Sequence, residues 1–339
     1  MFRVYDEFTK LQKVIVGDLD VNTTLLCDKD VRSFVYDVFQ QTKEDLNALQ
    51  KIYERHNIEV YRPNINNLKN SKNTKTEYYP VINPLAVRDN FIVLGDTLLE
   101  TASFKHMSHF EYLYYKDIFT NQWQSNKHNK WLKMPSPMLS SDSVTDDDIL
   151  EYEPILDAAQ ILRFGDTLIV SSTGAVNQLG IDWLKQHFAQ YKFVILDDTI
   201  KGHIDGQIKI VRPGLLMTPH PVDKLPSIFK NWEVIDLKSE HFLKSHQDGL
   251  RNAVDNIGCQ FRDDDIENTW VCCSTISIDE NTIILYEHYK EYYPELCKAL
   301  EKHKIDIEFM PYRHQHWFGQ GISCITLELQ RQGSMQKYT

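Results

Sequence analysis

In the stretch GQGISCITLEL, residues 319 to 329, a cysteine stands between a glycine-rich turn and an apolar run. Cys324 is there either as a packed core thiol or as a nucleophile. Other chemistry-bearing residues occupy similar settings: Asp89 in RDN, Asp157 in EPILDAA, His203 and Asp205 in HID, and the run Cys272, Cys273 and Ser274. Each stands just ahead of a β-rich stretch. A thiol among carboxylates is ill suited to a neutral or anionic substrate, because nearby negative charge raises its pKa and suppresses the thiolate. It suits a cation. A guanidinium is planar, pairs bidentately with carboxylates, and by its own charge favours the thiolate that would attack its central carbon.

These residues can act together only if the elements that carry them converge. FIVLGDTLLE (91–100) and ILRFGDTLIV (161–170) share GDTL after a mostly apolar run, a hairpin signature with Gly-Asp at the turn. Three looser stretches follow the same plan of strand, polar or glycine turn and return strand: IKIVRPGLLM (208–217), STISIDENTIILY (274–286) and CITLELQRQGSMQ (324–336). Such repetition predicts modules of about 65 residues around an axis. In that arrangement the inner strand ends meet at the centre, and three carboxylates, an imidazole and a thiol share one pocket. Helical periodicity marks Ser33 to His56, Leu179 to Tyr191, Glu240 to Gly258 and Tyr289 to His303, so the class is α/β or α+β.

At 339 residues and 42% apolar content the chain can bury a large core. The net charge of −11 is spread without a Lys/Arg cluster, which argues against nucleic acid as a partner. No apolar run reaches the ~18 residues that span a bilayer, so no membrane partner is expected, and the first residues lead into a strand-like VIVGD rather than a signal or transit peptide. The six cysteines have neither CxxC spacing nor the density of a disulfide scaffold, and read as reduced thiols of a cytoplasmic protein.

RDNFIVLGDTLLE, EPILDAAQILRFGDTLIVSSTGAVNQLGIDWL, GHIDGQIKIVRPG and GQGISCITLELQRQGSMQKY resemble, in order and spacing, the signature segments of the amidinotransferases, and the likeness begins at YDEFTKLQKVIVGD (5–18). The resemblance implies an α/β propeller of five ββαβ modules, formed as one domain over residues 1–339. It implies Cys324 as the nucleophile, His203 as general acid/base, Asp157 and Asp205 as the grip on the guanidinium, and Asp89 as a further pocket carboxylate. Gly202, Cys272, Lys224 and Arg313 join them as expected substrate-binding positions. The reaction implied is ping-pong transfer of the amidino group from arginine to an amine through a covalent cysteine intermediate, with ornithine released. Its partners are small-molecule substrates, no cofactor or metal is expected, and a homodimer is the candidate assembly.

Each residue also has a plainer role. Cys324 can pack in the core, His203 can serve as a hydrogen-bonded histidine, Asp157 can cap a turn, and Asp89 can pair with Arg88. His314 and His316 in RHQHW alternate on one face like a metal pair, but no third ligand stands at a useful spacing. Cys272 and Cys273 point to opposite faces of a strand, which favours a core role. The acidic run SDSVTDDD (141–148) reads as a solvated loop, with a flap over the entrance as its functional alternative. The chain also departs from the family: Ser323 replaces a histidine before the nucleophile, Gly202 replaces the methionine of the glycine-using members, and Lys224 is the nearest cation to their loop arginine. The acceptor amine therefore stays open, with an amine longer than glycine expected. Two rival functions remain, an arginine deiminase-like or dihydrolase reaction in which water resolves the same intermediate, and a non-catalytic binding propeller.

Overall fold

The computed structural model describes residues 1–22, 29–66, 83–103, 110–136, 152–172, 176–196, 203–237 and 273–338. Within them the chain forms five three-stranded sheets. The first strand, β1 (Leu11–Val16), leads through helix α1 (Lys29–Arg55) to β2 (Glu59–Tyr61), which lies parallel to it. β3 (Phe91–Leu94) and β4 (Thr97–Glu100) form an antiparallel hairpin, and α2 (Tyr112–Gln124) crosses to β5 (Lys130–Lys133), parallel to β4. The same plan recurs in β6 (Ile161–Phe164), β7 (Thr167–Ser171), α3 (Gln178–His187) and β8 (Lys192–Leu196). It recurs again in β9 (Lys209–Arg212), β10 (Leu215–Thr218) and β11 (Glu233–Asp236), where two short 3₁₀ turns replace the crossover helix. β12 (Ile276–Asp279), β13 (Thr282–Tyr286), α4 (Pro294–Lys302) and β14 (Asp306–Met310) complete the repetition. The architecture is a five-bladed α/β propeller.

The shared GDTL turns work as hairpins because Gly95 and Gly165 adopt φ of +61° and +64°, a region side chains disfavour. Every residue of β3, β4, β6 and β7 is buried, so these strands show no period-two alternation of buried and exposed positions. The outer strands β5 and β8 are partly exposed.

The fifth blade differs from the expected hairpin. β15 (Thr326–Arg331) does not turn back through QGSMQ; it pairs antiparallel with β1, Val16 opposite Thr326 and Leu11 opposite Arg331. The chain's two ends thus build one blade, an arrangement no local pattern encodes. The helix expected over Tyr289 to His303 breaks at Tyr293, whose ψ of 51° lies outside the helical range, because Pro294 disfavours helical geometry in the residue before it. The helix expected over Glu240 to Gly258 and the run 141–148 lie outside the described residues. Helix α2 was not anticipated: its aromatic residues, with Tyr114, Tyr115 and Phe119 buried, carry strand preference as readily as helix periodicity. Among the described residues no helix is long and apolar enough to cross a membrane.

A buried ion network joins the inner strands. Arg163 on β6 donates to both Glu7 oxygens, at 2.8 and 2.9 Å, to Glu328 on β15, and to the Val93 carbonyl of β3. Arg331 meets Glu328 from the same strand, through Nε at 2.9 Å, and reaches the Ser277 carbonyl of β12 and the Thr9 carbonyl. Burial alone would raise the Glu7 carboxyl, but the charges of Arg163, Arg88 and Lys209 outweigh it and hold Glu7 below the ordinary carboxylate range. Arg163→Met strips that partner from Glu7 and Glu328 and is expected to cost on the order of 3–5 kcal/mol, the usual consequence of breaking a buried pair. Urea unfolding measures this, and a loss below about 1 kcal/mol, the range of surface pairs, would mean the network does not hold the ring.

Candidate active site

The residues ahead of the five inner strands meet at one point. Asp89 belongs to a helical turn, Val87–Asn90, that runs directly into β3. Asp157 opens the turn Ala158–Gln160 before β6, and His203 opens the turn Ile204–Gly206 before β9. Ser274 precedes β12, and Cys324 sits two residues before β15. His203 Nε2 lies 3.5 Å from Asp157 Oδ2, and its Nδ1 lies 3.9 Å from Asp89 Oδ1. Side-chain atoms of Asp89, His203 and Cys324, one from each, all fall within 4.8 Å of one another.

The plain and functional roles divide between atoms. Asp157 does cap its turn, through Oδ1, which accepts from the Ala159 N–H at 2.9 Å, while Oδ2 faces the imidazole. Arg88 turns away to the carbonyls of Ala158 and Ile161, the latter at 2.7 Å, and its backbone N–H donates to the Cys324 carbonyl at 3.0 Å. One arginine therefore ties three strand heads together. Sequence reading missed it, although it stands in the very RDN segment that marked Asp89.

Cys324 is 4% exposed and Asp205 6%. Burial pushes the Cys324 thiol up, the Asp205 and Asp89 charges add to this, and the contact with His203 pulls the other way. Burial likewise raises the Asp205 carboxyl, against the His203 and Arg88 charges and a hydrogen bond from Ser323. Asp205 Oδ2 accepts from Ser323 Oγ at 2.8 Å, whereas Oδ1 is buried and meets no donor among the described residues. Burial would depress His203, but the charge and hydrogen bond of Asp157, the Cys324 contact and the Asp89 charge together raise it well above 6.5. The imidazolium can donate a proton, and the site combines that donor, a thiol and three carboxylates.

Gly321, in the glycine-rich turn before Cys324, is a glycine of close approach. A Cβ there would stand 2.0 Å from Ser274 Oγ and 2.7 Å from the Tyr286 hydroxyl. Ser274 Oγ in turn lies 2.5 Å from Ser323 Oγ and 3.8 Å from Cys324 Sγ. The turn is bare so that Ser274 Oγ can lie beside the thiol.

Not every expected residue arrives. Lys224 is exposed on the turn Val222–Lys224. Arg313 directs its guanidinium to α1, with Nε 2.9 Å from Asp45 Oδ1 and Nη2 2.8 Å from Glu44 Oε2. His314 pairs with Gln41 on the same helix at 2.8 Å. Cys273 packs in the core with its thiol toward the Met217 carbonyl. Gly202 and Cys272 lie outside the described residues.

The fold and the converging strand heads define a five-bladed α/β propeller with its candidate chemistry at the axis. No family model matches the sequence. Curated relatives that match it nearly end to end are amidinotransferases, as its segments led us to expect. The L-arginine:L-lysine amidinotransferase of Pseudomonas savastanoi pv. phaseolicola is 23% identical over 98% of this chain and 95% of its own. Inosamine-phosphate amidinotransferase 1 of Streptomyces glaucescens is 24% identical over 99% and 98%. In fold the chain is similar to an amidinotransferase of the saxitoxin biosynthetic pathway from Microseira wollei, with a TM-score of 0.78 at 21% identity over 100% of this chain and 99% of that one. It is less similar to DDAH from Pseudomonas aeruginosa, with a TM-score of 0.60 at 10% identity over 94% and 99%.

Because the folded-state pKa of His203 is raised, the stability it contributes is fully present below about 6.5 and is lost as pH rises through the folded value. The difference in melting temperature between the protein and its His203→Asn variant should therefore be larger near pH 6 than near pH 9. An equal difference at both would mean that His203 carries no such charge.

Proposed function

We propose that the protein is an amidinotransferase that takes the amidino group from arginine and gives it to an amine. The observation that carries this reading is the meeting of Cys324, His203, Asp89, Asp157 and Asp205 in a chain whose end-to-end relatives are amidinotransferases. In the first half-reaction the Cys324 thiol gives up its proton to solvent as the guanidinium enters, the thiolate bonds to the guanidino carbon, and the π electrons of that carbon pass to nitrogen. Asp157 and Asp205 hold the cation, with the unoccupied Asp205 Oδ1 offering an acceptor to a guanidinium N–H. The tetrahedral adduct then collapses. The bond to the δ-nitrogen breaks as His203 gives that nitrogen a proton, and ornithine leaves with the amidino group still on sulfur. In the second half-reaction an acceptor amine attacks the same carbon and yields a proton to His203. The C–S bond breaks and the thiolate returns.

Both half-reactions use one pocket, so ping-pong kinetics follow. The family's departures at Gly202 and Lys224 favour an acceptor longer than glycine, and a relative whose name pairs arginine with lysine supports the same choice. Ammonia leaving in place of ornithine, with water then attacking the same carbon, would make the enzyme a hydrolase releasing citrulline.

The test is product analysis. Arginine offered with a panel of amines should give ornithine and a new guanidino compound, with lysine or a diamine outcompeting glycine. Cys324→Ala should consume no arginine while keeping its fold, and His203→Asn should lose on the order of 10² to 10⁴ in turnover, the usual span for a lost general acid/base. Citrulline as the main product would overturn transfer in favour of hydrolysis, and turnover by Cys324→Ala would remove the nucleophile.

A further inference from the structure

We propose that Ser274 and Ser323 are positioning residues whose hydroxyls form a one-way hydrogen-bond chain from Cys324 to Asp205, setting the proton affinity of the thiol. This deepens the reading of Cys324 as nucleophile and rests on it. The direction of the chain follows from counting protons. A carboxylate only accepts, so the 2.8 Å contact commits the single hydroxyl proton of Ser323 to Asp205 Oδ2. Ser323 Oγ has then only lone pairs to offer at its 2.5 Å contact with Ser274 Oγ, and Ser274 must be the donor there. With its own proton spent, Ser274 Oγ accepts the Ser323 N–H at 3.3 Å and, at 3.8 Å, the S–H of Cys324. The chain thus runs from Cys324 S–H to Ser274, to Ser323, to Asp205, and it favours the thiol over the thiolate.

Independent packing holds the chain in place. The Tyr286 hydroxyl donates to the Ser274 carbonyl at 2.8 Å and accepts the Ile322 N–H at 3.0 Å, fixing the β13 side of the turn to the residue beside Ser323. Gly321 leaves the space into which Ser274 Oγ projects. Ser323 also stands where the family has a histidine, so the chain belongs to this sequence rather than to the family pattern.

The groups that face the sulfur come from several elements: Asp89 from the head of β3, His203 and Asp205 from the head of β9, Tyr286 from β13, and Tyr312 from the segment after β14. The carboxylates disfavour the thiolate and His203 favours it. The serines decide which way the nearest hydroxyl proton points. If Ser323 no longer offers an acceptor, the Ser274 proton is released to turn toward sulfur and stabilise the anion.

The two serines therefore have different signatures in the pH dependence of Cys324 alkylation by iodoacetamide, followed by peptide mass spectrometry. Ser323→Ala should lower the midpoint by roughly half to one pH unit, the worth of one hydrogen bond. Ser274→Ala removes only a weak 3.8 Å acceptor of the S–H and should lower it by far less, and the Ser274→Ala/Ser323→Ala double variant should fall no further than Ser274→Ala alone, because the donor is gone. Ser323→Thr, which restores a hydroxyl, should return the wild-type midpoint. Should Ser323→Ala fail to fold, Ser323→Gly removes the same acceptor without adding a thiol and should show the same fall. An unmoved midpoint in the folded Ser323 variant, or a fall in the double variant as large as in Ser323→Ala, would overturn the chain. Arginine turnover by the wild type in the same samples keeps the outcomes separate, since its absence counts against amidino transfer while leaving the alkylation profile readable.

Discussion

Pairing of β1 with β15 is the constraint from which the rest of the structure follows. Until residues 11–16 meet residues 326–331, the last strand has no partner and the ring has a gap where its fifth blade should stand. The pairing spans nearly the whole chain, so its closure entropy is offset only by what the closed ring buries. Leu327 and Leu329 enter the same core as Phe2, Val4 and Phe91, and Glu328 enters the ion network with Arg163. Glu7, Arg163, Glu328 and Arg331 are charges that would be expensive to bury singly. Paired at the inner strands, they make each blade depend on the others.

Closure also makes the site. Cys324 is at the head of β15, so its position is fixed by the same strand that completes the ring, and Arg88 ties its carbonyl to the heads of β3 and β6. Five equivalent strand ends supply four kinds of chemistry at one point: a carboxylate, a second carboxylate, an imidazole with a third carboxylate, a hydroxyl and a thiol. The electrostatics are balanced toward rest. Burial, Asp205 and Asp89 disfavour the thiolate, while Asp157 and Asp89 favour the charged imidazole. A substrate cation entering this field would relieve the first effect by pairing with the carboxylates. It would leave the second proton available for a departing amine.

Much of this was legible because the fold repeats. GDTL occurs twice, and its glycines take positive φ both times, so the hairpins and the residues ahead of them could be aligned without coordinates. Asp89, Asp157, His203, Asp205 and Cys324 came from that alignment together with the family segments. What stayed hidden depends on partners distant in sequence. The pairing of β15 with β1 leaves no local mark, and QGSMQ looks like a turn whether or not a strand returns from it. Arg88 acts through backbone carbonyls of another blade, and Ser274 through a hydroxyl and a thiol some fifty residues away in the chain. Arg313 shows the converse, because a cation near Cys324 in sequence is claimed by Asp45 and Glu44 of α1.

The central claim is that an amidino group rests on Cys324 between two half-reactions. Arginine labelled at the guanidino carbon, mixed with the protein in the absence of any amine acceptor and quenched in acid, tests it most directly. Peptide mapping should then find the label on the peptide carrying Cys324, accompanied by one equivalent of ornithine, and addition of an acceptor amine before the quench should remove it. Steady release of ornithine only when an amine is present, with no label on Cys324 at any time, would contradict the account.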